Sequence, residues 1–252
     1  PLYRQLGQRM PESAYQGASV VMDTAESLDW AKELIPSFSA DMGAALNFML
    51  DHNLYNFDGG ADKMTGGYTT SLDLYGVPFI NIKDDGSDML STVFHEFGHF
   101  YNSYTFEDGL WNQTTDLDLA EIHSQGLELL LIDKYPEIYG SDELAQAVAS
   151  YRLYSNISTI LSGIMEDEFQ RKLYAESDLT LEKLNAIYED LLEEYHLYDS
   201  YFIPNSFWAL TWVGIPHTFQ VPFYYISYAT SLISAMELWK IAQNDPDEAL
   251  EK

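Results

Sequence analysis

The sequence predicts a mainly α-helical protein with one small β-hairpin, and three observations support this fold class. Several long stretches repeat apolar residues with the period of an α-helix. One short region is rich in β-branched and aromatic residues and is divided by a turn sequence. No internal repeat, low-complexity tract or linker is visible. We therefore expect a single domain that covers residues 1–252.

The first part of the chain contains the predicted hairpin. A helical pattern runs from Ser27 to about His52, with an interruption near Pro36. The Gly- and Asp-rich residues 56–65 predict a loop. Residues 67–82 contain two strand-like runs, and the turn sequence Asp73-Leu74-Tyr75-Gly76 joins them into a hairpin.

Long helices are predicted for the rest of the chain. Ser87 is suited to cap a helix that runs to about Tyr104. Gly214 and Pro216 mark a loop that includes His217. The remaining helical patterns cover residues 116–134, which Pro136 ends, and residues 141–176, 180–196 and 222–243.

Composition limits the partners and the metal ligands. With 40 acidic and 12 basic residues the formal net charge is −28, so the surface repels phosphate backbones and anionic lipids. We therefore expect neither nucleic acid nor a membrane as partner. Because the chain has no cysteine, any transition metal must be held by His, Asp or Glu. No secretory signal or membrane span is visible, which favours a cytoplasmic protein.

The strongest chemical signal is the motif His95-Glu96-Phe97-Gly98-His99. On a helix, residues four apart lie on one face, so two imidazoles can bind one metal ion. Glu96 lies about a third of a turn away, within reach of a water on that metal. Such a carboxylate can accept the proton of a water that attacks a carbonyl. The phenylalanines in and around the motif indicate that this helix is packed rather than solvated.

A catalytic zinc ion needs a third protein ligand and one open position. Glu121 and Glu128 lie on the next predicted helix, seven residues apart and therefore on one face. Helices joined by a short loop tend to pack together, which favours Glu121 as the third ligand. Glu128 then orients a ligand histidine. His123 is an alternative ligand, and it faces away from Glu128 around the helix.

Four motifs in this order resemble the thimet oligopeptidase and oligoendopeptidase F family of zinc peptidases. The resemblance spans about Lys63 to Trp239. The motifs are the Gly-rich segment Lys63-Met64-Thr65-Gly66-Gly67-Tyr68-Thr69-Thr70, the motif at 95–99, the segment Ala120-Glu121-Ile122-His123-Ser124, and His217 followed by residues 223–229.

The resemblance implies a zincin-like (gluzincin) helical catalytic domain, in which the small hairpin precedes the zinc-binding helix. It implies one Zn²⁺ per chain, bound by His95, His99 and Glu121. Glu96 would be the general base, and Glu128 matches the second glutamate of the ligand helix.

The same resemblance implies a far wall of the site that donates hydrogen bonds. His217, Tyr225 and Tyr228 would face the metal across a cleft and stabilise the negative charge that develops on the carbonyl oxygen. Tyr225 and Tyr228 are three residues apart and share a helix face. Tyr224 is close to that face, so the choice among the three tyrosines stays open.

The predicted strand that contains Gly66, Gly67, Tyr68 and Thr69 is suited to bind substrate. A peptidase that cleaves varied sequences must hold the peptide backbone, and an exposed edge strand can pair with it. Glycines in such a strand allow the peptide to approach closely.

These features predict a zinc-dependent metalloendopeptidase that hydrolyses oligopeptides. Members of the family are longer, and their N-terminal helical region forms the other wall of a deep channel. We therefore expect this chain to be a catalytic fragment, with that region as a further partner. Two alternatives stay open: a carboxypeptidase or dipeptidyl carboxypeptidase on the same zinc site, and a non-catalytic module that binds peptide or metal.

Overall fold

The computed structural model describes residues 12–60, 62, 66–105, 118–119, 121–197 and 205–245. Helices dominate this part of the chain, as the sequence predicts. The helices are α1 (Glu12–Gly17), α2 (Thr24–Phe38), α3 (Ala40–Asp51), α4 (Leu90–Thr105), α5 (Ile122–Ile132), α6 (Tyr135–Tyr139), α7 (Asp142–Ala175), α8 (Leu181–Tyr195), a 3₁₀ helix (Asn205–Gly214), α9 (His217–Gln220) and α10 (Ile226–Ala242). Within the described residues, no helix is both long and apolar enough to cross a bilayer.

The sheet has three strands, β1 (Tyr55–Asp58), β2 (Gly66–Leu72) and β3 (Val77–Lys83), in the order β1-β3-β2. Strands β2 and β3 form the predicted antiparallel hairpin, in which Thr69 pairs with Ile80. Strand β1 pairs with β3 in parallel. Among the described residues, strand β2 therefore lies at one edge of the sheet, next to helix α4.

Strand β1 corrects the prediction of a loop over residues 56–65. Residues 56–58 lie in the strand, and residues 63–65 lie outside the described part of the chain. The central strand β3 carries the buried residues Ile80 and Ile82 and offers a second edge. Pairing with that edge outweighs the loop-like composition of the short segment.

Helix boundaries differ from the prediction at two places. Ser87 does not cap α4, which begins at Leu90, because the Ser87 hydroxyl and amide both donate to Asp85 Oδ1. Helix α10 begins at Ile226 rather than near residue 222, because Phe223 has φ = 64°. A residue in this left-handed region cannot continue a right-handed helix.

Two further helix boundaries also differ from the prediction. The helix predicted over residues 116–134 begins at Ile122 within the described chain, and residues 116–117 lie outside it. The segment predicted as a loop up to His217 is shorter, because the 3₁₀ helix ends at Gly214 and His217 starts α9.

The largest hydrophobic core lies between the sheet and helices α2 to α6. Phe94, Phe97 and Phe100 of α4 are each at most 1% exposed and form its centre. Burial of each such side chain contributes on the order of 2–3 kcal/mol. A second core joins α7, α8 and the 3₁₀ helix. The opposite face of α4, which carries His95 and His99, is left to meet α5 and the cleft.

Candidate metal centre

Three side chains converge between helices α4 and α5. His95 and His99 lie one turn apart on α4, and Glu121 occupies the position before the first residue of α5. His95 Nε2 lies 3.2 Å from His99 Nε2 and 3.2 Å from Glu121 Oε2. His99 Nε2 lies 3.1 Å from the same Glu121 oxygen. The two nitrogens and one oxygen therefore form a nearly equilateral triangle.

This triangle fits a tetrahedral metal ion. Ligand atoms bonded to zinc at about 2.0–2.1 Å lie roughly 3.3 Å apart at tetrahedral angles, which is close to the observed spacing. Two imidazoles and one carboxylate are also the donor set of many catalytic zinc sites. Among the described residues, His95, His99 and Glu121 form a group with suitable ligand atoms all within 4.8 Å of one another.

Close packing of the two helices brings Glu121 to the histidines. Gly98 faces α5, and a Cβ atom on it would lie 2.6 Å from Ser124 Cα and 2.9 Å from His123 O. The absence of a side chain at this position permits the close contact. Ser124 Oγ donates to Glu121 Oε2 over 2.9 Å, so the neighbouring turn of α5 also orients the carboxylate.

Further contacts fix the two imidazoles. His95 Nδ1–H donates to Glu128 Oε1 over 2.7 Å, and Ser91 Oγ donates to the other oxygen of Glu128. His99 Nδ1 lies 3.1 Å from His123 Nε2. The proton on each Nδ1 leaves the Nε2 lone pair free to bind a metal. His123 thus lies behind His99 rather than beside the triangle.

Glu96 lies next to the triangle and is only 4% exposed. Its Oε2 accepts a hydrogen bond of 2.8 Å from Thr69 Oγ1 on strand β2. Burial raises the pKa of Glu96, which the nearby imidazoles of His95 and His99 act to lower. A carboxylate with a raised pKa binds a proton more readily, as general-base chemistry requires.

Burial and hydrogen bonding act in opposite directions on Glu121. Burial acts to raise the pKa of Glu121, but hydrogen bonds to His95 and His99 outweigh it and lower that pKa below its ordinary value. Glu121 is 3% exposed and therefore stays an anion in a poorly solvated place. A buried anion of this kind favours a cation beside it.

An open cleft of about 610 Å³ lies over these residues. Gly67, Tyr68 and Thr69 of strand β2 line one side, and Tyr224 and Tyr228 line the other. The strand predicted to bind substrate therefore borders the cleft. Gly66 begins the same strand, outside the residues that line the cleft.

The far wall differs in detail from the arrangement implied by the resemblance. Tyr224 OH donates to Glu121 Oε1 over 2.6 Å, and Tyr228 also lines the cleft. His217 and Tyr225 do not line it; their rings pack together with centroids 5.4 Å apart. The ring of His217 also contacts Tyr228, with centroids 5.8 Å apart.

Burial changes the protonation of this wall. Burial lowers the pKa of His217, which favours the neutral imidazole. The buried Nδ1 of that ring has no hydrogen-bond partner among the described residues. Burial raises the pKa of Tyr228 to about 12, and it also raises the pKa of Tyr224. Both phenols therefore keep their protons and can donate them in hydrogen bonds.

Sequence reasoning missed a second polar region behind His95. A cavity of about 210 Å³ lies between α5, α7 and α10, and Arg152 on its border forms an ion pair with Asp88. The sequence of α7 could have indicated this region, because polar residues recur there at helical spacing. These residues are Arg152, Ser155, Asn156 and Thr159.

Comparison with solved structures shows the same fold in larger proteins. A protein assigned as oligoendopeptidase F superposes with a TM-score of 0.80 at 25% identity, over 91% of this chain and 41% of that chain. PZ peptidase A with an inhibitor gives a TM-score of 0.80 at 23% identity, over 97% of this chain and 42% of that one. A protein from Bacillus anthracis str. Ames, also assigned as oligoendopeptidase F, gives a TM-score of 0.73 at 24% identity, over 99% of this chain and 47% of that chain.

The chain therefore spans less than half the length of each of these structures. No protein of curated function matches the sequence. The sequence model of Peptidase family M3 matches residues 63–251, which include the histidine pair, Glu121 and the tyrosine wall. This match over most of the sequence shows that the chain belongs to Peptidase family M3.

Proposed function

We propose that this chain is the zinc-binding catalytic part of an endopeptidase that hydrolyses short peptides. The observation that carries the proposal is the triangle of His95 Nε2, His99 Nε2 and Glu121 Oε2, with sides of 3.1–3.2 Å, at the floor of an open cleft. Membership of Peptidase family M3 supports the same reaction class.

The residues of the chain have separate tasks in this reaction. His95, His99 and Glu121 hold the ion, which when bound supplies a Lewis acid that acidifies water and polarises a carbonyl. Glu96 accepts the proton of the attacking water and passes it to the leaving amine. Tyr228 donates a hydrogen bond to the oxygen on which negative charge develops.

Strand β2 is suited to hold the substrate. Among the described residues no strand pairs with its outer edge beside the cleft, and a peptide can add to it as a further strand. Tyr68 is 41% exposed on the outward face of the strand, where it can pack on the peptide. Backbone pairing requires few particular side chains, so we expect broad sequence preference.

The lining of the cleft favours an endopeptidase over a carboxypeptidase. A carboxypeptidase binds the terminal carboxylate of its substrate with a cationic side chain. Among the described residues, neither Lys nor Arg lines the cleft. Identification of the ends of cleaved peptides tests this choice, because an endopeptidase also cuts peptides with an amidated C-terminus.

We expect Glu96→Gln to retain bound zinc and to lose turnover by roughly 10³-fold, because an amide cannot accept the proton of the water. Cleavage of a quenched fluorescent peptide and zinc content by elemental analysis are measured on the same samples. Glu137→Gln, at an exposed position of α6, is the matched control. Turnover of the Glu96→Gln variant near the wild-type rate would refute the role of Glu96. Zinc binding without cleavage in the wild type would favour a non-catalytic module.

A further inference from the structure

One face of strand β2 packs against the helix that carries the candidate general base. Residues alternate along the strand, with Gly67 and Thr69 partly buried and Tyr68 and Thr70 exposed. The buried side faces helix α4. Thr69 therefore lies directly over the turn of α4 that carries Glu96.

Thr69 makes two contacts with Glu96. Its Oγ1 lies 2.8 Å from Glu96 Oε2 and 2.9 Å from the backbone oxygen of the same residue. A hydroxyl has one proton, so the two oxygens share it as acceptors. The contact with the backbone oxygen anchors the hydroxyl to the helix, and the contact with Oε2 limits rotation of the carboxylate.

Gly67 leaves room for the other oxygen of the carboxylate. A Cβ atom on Gly67 would lie 2.8 Å from both Cγ and Oε1 of Glu96. The side chain of Glu96 thus packs against the bare backbone of the strand on one side. Thr69 holds Oε2, whereas Oε1 lies against Gly67.

We propose that Thr69 is a positioning residue that orients the Glu96 carboxylate for proton transfer, rather than a residue whose side chain binds substrate. The inference rests on the proposed function of Glu96 as general base. A group that accepts a proton must lie within hydrogen-bond reach of it, so a rotated carboxylate transfers the proton more slowly. Strand β2 then serves both partners of the reaction: its outer edge aligns the peptide, and its inner face aligns the base.

The test compares Thr69→Val with Thr69→Ser. Valine keeps the shape and strand preference of threonine but lacks the hydroxyl, whereas serine keeps the hydroxyl. We expect Thr69→Val to lower kcat about 10–100-fold with KM within about twofold of wild type and unchanged zinc content. Thr69→Ser should keep kcat within about threefold of wild type. Thr105→Val, at the exposed end of α4, is the control for loss of a threonine hydroxyl.

The outcomes separate this inference from the proposed function. If wild type cleaves peptide and Thr69→Val retains kcat, or changes only KM, the positioning role is refuted. If wild type binds zinc but cleaves nothing, the proposed function is refuted. In that event urea unfolding still tests the contact: we expect Thr69→Val to lower the midpoint in the wild type, and to lower it at most half as much in a Glu96→Ala background. If Thr69→Val lowers the urea midpoint equally in the two backgrounds, a hydrogen bond between Thr69 and the Glu96 carboxylate is excluded.

Discussion

His95 uses both nitrogens of its ring. Nε2 faces His99 and Glu121, and Nδ1 donates to Glu128. The same division holds for His99, whose Nδ1 meets His123. Each candidate ligand atom of the triangle is thus oriented by a second contact of its own side chain, and the Glu121 carboxylate also accepts a hydrogen bond from the hydroxyl of Tyr224. Such supporting contacts commonly change metal affinity by 10–100-fold.

We expect Tyr224→Phe and Tyr228→Phe to have different effects. Loss of the Tyr224 hydroxyl removes the hydrogen bond of 2.6 Å to Glu121, so zinc affinity should fall about 10-fold. Loss of the Tyr228 hydroxyl should leave zinc affinity unchanged and lower kcat by about 10²-fold with little change in KM. Chelator competition measures the first quantity, and steady-state kinetics the second. Equal losses of zinc affinity in both variants would show that both tyrosines support metal binding.

Helical spacing predicts which of the candidate metal ligands and their supporting residues share a helix face. His95 and His99 are four residues apart on one helix, and Glu121 and Glu128 are seven apart on the next segment. The choice between Tyr224 and Tyr225 could not be predicted in this way. Because Phe223 has φ = 64°, α10 begins only at Ile226, and a helical wheel does not describe the tyrosines before it.

At the scale of elements, the contact between α4 and α5 determines whether Glu121 reaches the histidines. We expect Gly98→Ala to destabilise the protein by about 1–3 kcal/mol and to lower zinc affinity, because its Cβ would lie 2.6 Å from Ser124 Cα. Gly126→Ala on α5 is the matched variant, since a Cβ there meets nothing within 4 Å. It should stabilise the protein by about 0.5–1 kcal/mol through helix propensity.

Urea unfolding and zinc titration of the two glycine variants check this prediction. Zinc affinity should fall only for Gly98→Ala. If Gly98→Ala binds zinc as tightly as wild type, the spacing of the two helices does not control the triangle.

Helix α7 carries a buried acid that affects stability. Glu166 is 0% exposed and accepts hydrogen bonds from Tyr188 and Thr218. Burial raises the pKa of Glu166 to about 7 from an ordinary value of 4.5. The folded state therefore binds this proton more tightly than the unfolded state, so the contribution of Glu166 to stability falls as pH rises from about 4.5 to about 7.

We expect Glu166→Gln to stabilise the protein relative to wild type at pH 8, by on the order of 2 kcal/mol, and to have little relative effect near pH 4.5. The free energy of unfolding in urea is measured at both pH values for the two proteins. Subtracting the unfolding free energy of the wild type from that of the variant cancels the pH dependence of all other groups. A difference that does not grow with pH would show that Glu166 is ionised in the folded protein at low pH.

Elements of strong periodicity could be predicted, and short elements that depend on partners could not. Helix α7 has 34 residues with a serine cap, and its pattern is unambiguous. Strand β1 has four residues and exists because β3 offers a free edge. Helix α1 was not predicted either; it packs closely on α7, where a Cβ on Gly17 would lie 2.3 Å from Ala147 O. Such contacts between distant segments leave no local pattern in the sequence.

At the scale of the whole molecule, the net charge of −28 should make stability depend on salt. Repulsion among like charges disfavours the compact state, and salt screens it. We expect the midpoint of thermal unfolding to rise by a few degrees between about 10 mM and 500 mM NaCl. The measurement is made on metal-free protein, and KCl at the same concentrations serves as the control for ion-specific effects. A constant or falling midpoint would contradict the prediction.

The two walls of the cleft come from very different distances along the chain. His95, His99, Glu121 and Glu128 lie within 33 residues of one another, whereas the contact of Tyr224 with Glu121 joins residues 103 apart. Closing a loop about three times longer costs roughly 1 kcal/mol more in chain entropy. During folding, the helix pair α4–α5 can therefore assemble before α10 docks. Under the proposed function, the metal ligands would then come together first and the transition-state donors last, so that hydrolytic activity would require the fully folded chain.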